Sequence, residues 1–341
     1  MEIDFLNIPF ENDAHIIFDN DGVLSSLIPD WNTSSPNEKT LRGIKAILRK
    51  NPRSKVSVLT GRLTTFLNSR IGFQSLINTY PDQVTFYGFY GNQKYNPITD
   101  PEHSVIEKLD EYKELIPKLL SLLEQGLDEI LTELNKISLN GESPMNIDLL
   151  KQLVIEDKAF GLGIHIRHLL NHMGLINKDN SDQEIENRNK VIKLVNDVVS
   201  EIVAALNFAN PTLPFKIKSG SLISEIFPAS GINDDKVERF LQIYNDHLQR
   251  NDCPIIYYFG DDLGDAKINN FCYSNRDNNY APKTVFIFVD SSPDDYDPTR
   301  VRMREQADFV VSPNDLHNAT EVLSNIIVHK ASLAISHGIE I

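Results

Sequence analysis

The stretch that decides the fold is "HIIFDNDGVL", residues 15–24, in which an apolar run leads directly into two aspartates. Asp and Asn are poor strand residues, and Asp-Asn-Asp-Gly is typical of a turn, so a strand that enters this sequence must end there. On a protein surface such a turn needs no function, and Asp19 and Asp21 would simply be solvated. The alternative is a catalytic pair of carboxylates at the carboxyl end of a central parallel strand.

Further short apolar segments alternate with helical patterns, which is typical of an α/β fold with a parallel sheet. Six strands are predicted, at residues 15–18, 55–59, 84–87, 255–259, 284–289 and 308–311. Four of them lead into polar or glycine-rich tips, which begin at Asp19, Thr60, Gly88 and Gly260. Because ligands of open α/β sheets bind outside the carboxyl ends of the strands, these tips predict a shared crevice.

The middle of the chain has a different pattern. Leu and Ile recur at helical spacing over residues 104–137, and a second amphipathic helix is predicted to begin at Ser181, where Glu184 completes a capping box. Segments 160–167 and 215–227 alternate between apolar and polar residues, as strands of an antiparallel sheet do. These patterns predict an α+β domain inserted into an α/β domain.

The predicted domain boundaries follow from this change of pattern. Residues 1–97 and 223–341 are expected to form a Rossmann-like core domain with a parallel sheet, and residues 98–222 to form the inserted domain. A chain of 341 residues exceeds the usual size of a single hydrophobic core, which agrees with two domains.

Composition and charge exclude several classes of function. The formal net charge of −15 opposes general binding to nucleic acid or to an anionic membrane, since either would require a basic surface. The sequence has neither a signal-peptide pattern nor a run of roughly 20 apolar residues. Its two cysteines, Cys253 and Cys272, match no zinc-site spacing and indicate a reducing compartment. We therefore expect a cytoplasmic protein that binds neither nucleic acid nor membranes.

The candidate catalytic residues follow the predicted strands in a defined order. Asp19 and Asp21 come first, the hydroxyl of Thr60 follows the second strand, Lys236 comes later, and "GDDLGD" at 260–265 follows another strand. Taken singly, these are an ordinary turn residue, a solvated lysine and a helix cap. Taken together, this order resembles the haloacid-dehalogenase-like phosphohydrolases, which implies phosphoryl transfer at the strand ends.

The chemistry of that reaction explains the residue types. A phosphate monoester is a dianion, so an approaching nucleophile needs cations that offset the repulsion. The carboxylate of Asp19 is ionised at neutral pH and would attack phosphorus to form an aspartyl-phosphate. Asp21 would protonate the leaving alkoxide and then deprotonate the water that breaks the intermediate. Thr60 and Lys236 would hold the phosphoryl oxygens.

The resemblance also implies a bound Mg²⁺, a hard cation that prefers oxygen ligands. Its protein ligands would be the carboxylate of Asp19, the main-chain carbonyl of Asp21 and the carboxylate of Asp261. Asp262 and Asp265 would tune the site, either directly or through water.

Within this superfamily the chain is similar to the trehalose-6-phosphate phosphatase family. The matching segments are "LTGR" (59–62), "YGFYGNQ" (87–93), "IEDKAFGLGIHIR" (155–167), "SEIFPASGINDDK" (224–236) and "GDDLGD" (260–265). The resemblance makes the inserted domain a cap that sets substrate specificity, and the function a Mg²⁺-dependent hydrolysis of trehalose 6-phosphate to trehalose and phosphate. It implies that the substrate contacts are Arg62, Asn92, Gln93, Glu156, Lys158, Arg167 and Glu225.

Departures from the family pattern keep alternatives open. The family usually has His-Gly-x-Glu where residues 90–93 are Tyr-Gly-Asn-Gln, and Arg where Phe227 stands. The same chemistry could therefore serve another sugar phosphate, such as sucrose 6-phosphate or a glycosyl-phosphoglycerate, or a phosphomutase. A third reading is a regulatory relative that binds sugar phosphate and acts on a partner such as trehalose-phosphate synthase. The motif lysine is assigned to Lys236, with Lys216 and Lys218 as alternatives.

Overall fold

Strands and helices alternate along most of the chain in the computed structural model, which describes residues 13–27, 34–105, 111–136, 145–158, 161–175, 181–219, 223–229, 235–277, 282–291 and 298–336. The strands are β1 (His15–Phe18), β2 (Lys55–Leu59), β3 (Val84–Gly88), β4 (Gln93–Asn96), β5 (Asp100–Val105), β6 (Ile155–Asp157), β7 (Leu162–His165), β8 (Phe215–Ser219), β9 (Ile223–Pro228), β10 (Ile255–Gly260), β11 (Lys283–Val289) and β12 (Phe309–Val311).

The helices between these strands cover the faces of the sheets. They are α1 (Glu38–Lys50), α2 (Thr64–Ser69), α3 (Ile71–Thr79), α4 (Ile116–Leu134), α5 (Ile147–Val154), α6 (Ile166–His172), α7 (Asp182–Ala209), α8 (Val237–Arg250), α9 (Ala266–Ser274), α10 (Pro298–Gln306) and α11 (Ala319–Ser336). None of the helices within the described ranges is both long enough and apolar enough to cross a membrane.

The first of two compact units comprises Met1–Val105 and Asp235–Ile341 and contains an eight-stranded sheet. The strand order is β12-β11-β10-β1-β2-β3-β4-β5, with parallel pairing from β12 to β3 and antiparallel pairing at β4 and β5. The six predicted strands are all present, each within one residue of its predicted ends, which confirms the α/β prediction. The polar sequences of β4 and β5 have no apolar run, so they were not predicted as strands.

Strand β1 lies in the middle of this sheet, between β10 and β2. Ile16 and Phe18 pack with Leu41 of α1 in one hydrophobic cluster, whereas Ile17 packs with Phe240 of α8 in another. A parallel strand that is covered on both faces needs a continuous apolar run, which is what the sequence before Asp19 provides.

The second unit, Ile106–Asp234, contains the four-stranded antiparallel sheet β6-β7-β9-β8 and the helices α4 to α7. Its hydrophobic core combines leucines of α4, such as Leu119 and Leu123, with valines of α7, such as Val195 and Val199. Helix α7 begins as predicted, because the side chain of Ser181 and that of Glu184 form the reciprocal bonds of a capping box.

The boundaries between the two units differ from those expected at residues 97/98 and 222/223. Strand β5 pairs with β4 and so extends the large sheet to Val105. Strand β9 pairs with β7 and β8 in the small sheet, so the return to the first unit comes at Asp235. Both differences arise because strand pairing, rather than local composition, assigns a strand to its sheet.

The predicted strand at 160–167 is shorter in the structure, where β7 ends at His165 and α6 follows. Buried Ile166, Leu169 and Leu170 have helical spacing, which explains why the chain turns into a helix there. The predicted segment 215–227 is two strands, β8 and β9, and the predicted helix at 104–137 is α4 with part of β5 before it. Residues 106–110, 137, 160 and 220–222 lie outside the described residues.

Candidate active site

The turn after β1 directs Asp19 out of the central strand. The N–H of Asp19 donates to the carbonyl of Phe259 on β10, which continues the parallel ladder by one residue. The carbonyl of Asn20 then accepts from the N–H groups of residues 23–25, at 3.3, 2.9 and 2.9 Å. This closed turn ends the strand, so the carboxylate of Asp19 is held at the carboxyl edge of the sheet.

Gly22 allows the neighbouring loop to approach that turn. Its φ of +80° lies in the left-handed region, and a Cβ atom built there would lie 1.9 Å from Oδ2 of Asp261. Any side chain would therefore displace the Asp261 carboxylate, in addition to straining the backbone. The glycine of the D-x-D-G motif is required by this contact.

Three carboxylates come together at the strand ends. One oxygen from each of Asp19, Asp261 and Asp265 lies within 4.8 Å of the others, and all three residues are buried. Nζ of Lys236 lies 2.6 Å from Oδ2 of Asp19 and 2.7 Å from Oδ1 of Asp265. Lys236 thus contacts the candidate nucleophile, whereas Lys216 and Lys218 lie on β8 of the second unit.

Burial and charge shift the pKa values in this group. Burial raises the pKa of Asp19 to about 7; Lys236 opposes this shift and Asp265 adds to it. Burial also raises the pKa of Asp261 well above its ordinary value, and the carboxylates of Asp19, Asp262 and Asp265 raise it further. Burial alone would lower the pKa of Lys236, but Asp19 and Asp265 raise it above the ordinary lysine value.

These shifts indicate that the group suits a divalent cation. Three buried carboxylates share the single ammonium of Lys236, which leaves a net charge of about −2 in this group when all are ionised. A divalent cation would neutralise that charge, and carboxylate oxygens are the ligands that Mg²⁺ prefers. The residues present therefore fit the Mg²⁺ that the sequence motifs imply.

Asp265 differs from the other two carboxylates because its oxygens already accept four hydrogen bonds. Oδ1 accepts from Lys236 and from the hydroxyl of Tyr258, at 2.7 Å each. Oδ2 accepts from the N–H groups of Asp261 and Asp262, at 3.1 and 3.4 Å. This arrangement orients the lysine and the loop, and it competes with direct metal ligation by Asp265.

Asp262 is not part of the buried group. Its carboxylate accepts from the N–H of Leu263 at 2.7 Å and caps the short 3₁₀ turn that follows, and its side chain is 55% exposed. An aspartate at this position often serves only as a helix cap, and Asp262 makes that capping hydrogen bond here.

The second strand end brings Thr60, Arg62 and Asp21 together. Thr60 is buried, and its Oγ1 accepts from the N–H of Arg62 at 3.2 Å. The guanidinium of Arg62 donates to both carboxylate oxygens of Asp21, at 2.8 and 3.2 Å. Arg62 was expected among the substrate contacts, whereas here it holds the candidate acid–base residue.

Asn92 and Gln93, also expected to contact substrate, make internal hydrogen bonds. The amide of Asn92 donates to the carbonyl of Phe89 at 2.6 Å, and Oε1 of Gln93 accepts from the N–H of Thr64 at 3.0 Å, at the start of α2. They brace a strained turn in which φ is +48° at Phe89 and +57° at Tyr90. Their positions are explained by this turn without a ligand.

A buried polar cluster lies in the second unit. Nζ of Lys158 donates to Oε1 of Glu225 and lies 3.6 Å from Oε2 of Glu156, which also accepts from Nε2 of His165 at 2.7 Å. Gly163 leaves room for it, because a Cβ atom there would lie 3.0 Å from both Glu156 and Lys158. Thus three of the expected substrate contacts, Glu156, Lys158 and Glu225, are together.

Arg167, another expected substrate contact, lies on α6 and is exposed. It was expected at the end of a strand, and the early end of β7 places it in the first turn of a helix instead.

Two residues that the sequence analysis missed hold Asp261. Oγ of Ser291 donates to Oδ2 of Asp261 at 2.6 Å, and Nη1 of the buried Arg300 donates to its main-chain carbonyl, also at 2.6 Å. Ser291 follows β11 after Asp290, so this strand also leads into a polar tip. This polar tip was a pattern in the sequence from which Ser291 could have been predicted. No sequence pattern pointed to Arg300 on α10.

The chain is similar in fold to two solved domains from Candida albicans, and the likeness covers nearly its whole length. The C-terminal domain of trehalose-6-phosphate phosphatase from Candida albicans is 17% identical, with 94% of this chain and 92% of that domain covered and a TM-score of 0.53. The C-terminal domain of the Candida albicans trehalose synthase regulatory protein is 13% identical, with 95% and 96% covered and a TM-score of 0.53.

Comparison of the sequence alone is less informative. A scan against protein-family models finds no match, and a search among curated proteins finds no significant relative. At identities this low the structural similarity shows the fold alone, which is the α/β fold with a parallel sheet that the sequence pattern predicted.

Proposed function

We propose that the protein is a Mg²⁺-dependent phosphatase that hydrolyses a sugar phosphate, with trehalose 6-phosphate as the leading substrate. The observation that carries this proposal is the contact of Lys236 with Asp19 beside Asp261, at the carboxyl end of the central strand. A buried carboxylate that is paired with a lysine and adjoins a fitting cation site has what nucleophilic attack on a phosphate dianion requires.

Four side chains of the first unit have a part in the proposed reaction. Asp19 attacks phosphorus and the bond to the leaving oxygen breaks, which forms an aspartyl-phosphate and an alkoxide. Asp21 gives its proton to that alkoxide and then takes one from the attacking water, which releases phosphate and restores Asp19. Lys236 opposes the effect of burial and so favours the ionised form of Asp19. It also stabilises charge on the phosphoryl oxygens, to which the hydroxyl of Thr60 also donates.

Two contacts prepare the acid–base residue and the cation site. A protonated Asp21 keeps an acceptor oxygen for Arg62, so the guanidinium can hold the side chain in place in both protonation states. When bound by Asp19, Asp261 and the main-chain carbonyl of Asp21, Mg²⁺ would offset the repulsion between the nucleophile and the phosphate dianion.

The second unit supports a sugar as the rest of the substrate. The carboxylates of Glu156 and Glu225 and the ammonium of Lys158 offer acceptors and donors of the kind that sugar hydroxyls require. We propose that this unit is the cap that recognises the sugar, in a cytoplasmic enzyme of trehalose metabolism.

A regulatory role is the second candidate function. One solved domain of similar fold belongs to a trehalose synthase regulatory protein, and its TM-score equals that of the phosphatase domain. In this case the chain would bind sugar phosphate without hydrolysing it and would associate with a trehalose-phosphate synthase.

The test is phosphate release from a panel that contains trehalose 6-phosphate, sucrose 6-phosphate, a glycosyl-phosphoglycerate and p-nitrophenyl phosphate, with and without Mg²⁺. We expect Mg²⁺-dependent release that is fastest from trehalose 6-phosphate, and none from the Asp19→Asn variant. Faster release from another sugar phosphate would change the substrate but keep the chemistry. Tight binding of trehalose 6-phosphate without phosphate release would favour the regulatory role.

A further inference from the structure

Tyr258 lies behind the candidate catalytic lysine, in the middle of β10. Its side chain is buried, and its hydroxyl donates to Oδ1 of Asp265 at 2.7 Å. The same oxygen accepts from Nζ of Lys236 at 2.7 Å, so the hydroxyl and the ammonium share one acceptor. Nζ in turn lies 2.6 Å from Asp19, so a chain of hydrogen bonds runs from Tyr258 to the candidate nucleophile.

The ring of Tyr258 also contacts the helix that carries the lysine. It packs edge-on against Phe240 of α8, with 5.6 Å between ring centroids, and it stacks on Phe286 of β11 at 5.7 Å. Helix α8 begins directly after Lys236, and the N–H of Phe240 donates to the Lys236 carbonyl at 3.0 Å. One side chain therefore supports both the backbone of the lysine and the acceptor of its ammonium.

We propose that Tyr258 is a positioning residue, which holds Asp265 and Lys236 so that the ammonium faces Asp19. The proposal rests on the proposed function, since it assigns Lys236 the stabilisation of charge in the transition state. Tyr258 does not touch the nucleophile or, by this proposal, the phosphoryl group; it acts through Asp265.

The physical reason is competition for the lysine. With the Tyr258 hydroxyl in place, Oδ1 of Asp265 accepts from two donors, and Lys236 divides its own donors between Asp265 and Asp19. Without the hydroxyl, Oδ1 depends on Lys236 for charge compensation, since hydrogen bonds to a buried carboxylate are strong. The ammonium is then drawn towards Asp265 and away from Asp19.

The adjacent residue, Tyr257, supplies a matched control. It is also a fully buried tyrosine on β10, but its ring belongs to the hydrophobic cluster on the opposite face of the sheet, with Phe18 and Phe259. Tyr257→Phe and Tyr258→Phe each remove one oxygen from the same strand. A general loss of packing or polarity would affect the two variants alike.

The experiment compares kcat and KM of the wild type and both variants on p-nitrophenyl phosphate with saturating Mg²⁺. For Tyr258→Phe we expect kcat to fall about tenfold with KM unchanged, because the hydroxyl supports charge stabilisation that is strongest in the transition state. Inhibition by orthovanadate, which mimics the five-coordinate transition state, should weaken by a similar factor, while inhibition by inorganic phosphate stays the same. Tyr257→Phe should match the wild type in all four measurements.

Other outcomes would overturn the proposal. These are an unchanged kcat for Tyr258→Phe, equal losses in both variants, equal weakening of vanadate and phosphate inhibition, or a Tyr258→Phe protein that is unfolded when Tyr257→Phe is folded. In the last case the hydroxyl would serve the core rather than the lysine. If the wild type releases phosphate from none of the four substrates of the panel, the proposed function itself fails; this is measured before the variants are compared.

Discussion

Nζ of Lys236 lies 2.6 Å from Oδ2 of Asp19, although the two residues are 217 positions apart in the chain. Neither side chain is more than 8% exposed, so the lysine is the partner that compensates the buried charge of the aspartate. Removal of one partner of a buried ion pair leaves an uncompensated charge, whereas removal of both does not. This contact therefore has a consequence for stability as well as for catalysis.

We expect Lys236→Met to lower the free energy of unfolding by about 3–5 kcal/mol in metal-free buffer. The additional change Asp19→Asn should restore about 1 kcal/mol or more of this loss, because residues in contact are coupled. Urea unfolding of the two single variants and the double variant measures that coupling. Lys267→Met is the control, since its side chain is 68% exposed and its pairing with Asp235 contributes little. Strictly additive effects would contradict the pairing.

Mg²⁺ should stabilise the folded protein through the buried carboxylates. A cation at 100 times its dissociation constant adds about 2.7 kcal/mol to the free energy of unfolding. We expect Mg²⁺ to raise the melting temperature of the wild type and to have no such effect on Asp261→Asn. Asp262→Asn should keep the shift, because the Asp262 carboxylate caps a turn and is largely exposed. Loss of the shift in both variants would show that Asp262 also holds the cation.

The buried cluster of the second unit should affect sugar phosphates more than small substrates. Interactions with the remote part of a substrate help to position the reacting group, and an aryl phosphate lacks that part. We expect Glu156→Gln and Lys158→Met to lower kcat/KM for trehalose 6-phosphate at least about tenfold and to leave p-nitrophenyl phosphate hydrolysis nearly unchanged. Lys193→Met, at an exposed position of the same unit, is the control. Equal losses on both substrates would exclude sugar recognition by this cluster.

Stability should fall in mild acid because of His15. Its Nδ1 lies 2.7 Å from Nε2 of His247, its Nε2 lies 2.8 Å from Oγ of Ser57, and burial, with His247 and Lys55, lowers its pKa from 6.5 to about 3. Between these two pH values the unfolded chain binds the proton and the folded protein does not, so the free energy of unfolding decreases as pH falls.

The slope from this residue approaches about 1.4 kcal/mol per pH unit below the ordinary histidine pKa. Urea unfolding at several pH values from 7.5 to 4.5 measures it. His15→Gln should have a shallower dependence than the wild type over this range, even if it is less stable at pH 7.5. Parallel curves for the two proteins would mean that His15 can be protonated in the folded state.

Local patterns in the sequence determined the central strands and the aspartates at their ends. An apolar run that leads into Asp-x-Asp-Gly has to end as a strand, and the parallel sheet then places Asp19 at the same edge as Asp261. The capping box at Ser181 and Glu184 is equally local, since both of its hydrogen bonds join residues three positions apart. Such features depend on spacing and residue type, which the sequence contains in full.

Only the tertiary structure decided which side chains those aspartates meet. Arg62 reaches Asp21 across 41 positions, Arg300 reaches Asp261 across 39, and the sheet assigns β9 to the second unit by pairing it with β7 and β8. Lys236 likewise reaches Asp265 across 29 positions. No local pattern specifies such contacts, because they depend on how the strands and helices pack once the chain has folded.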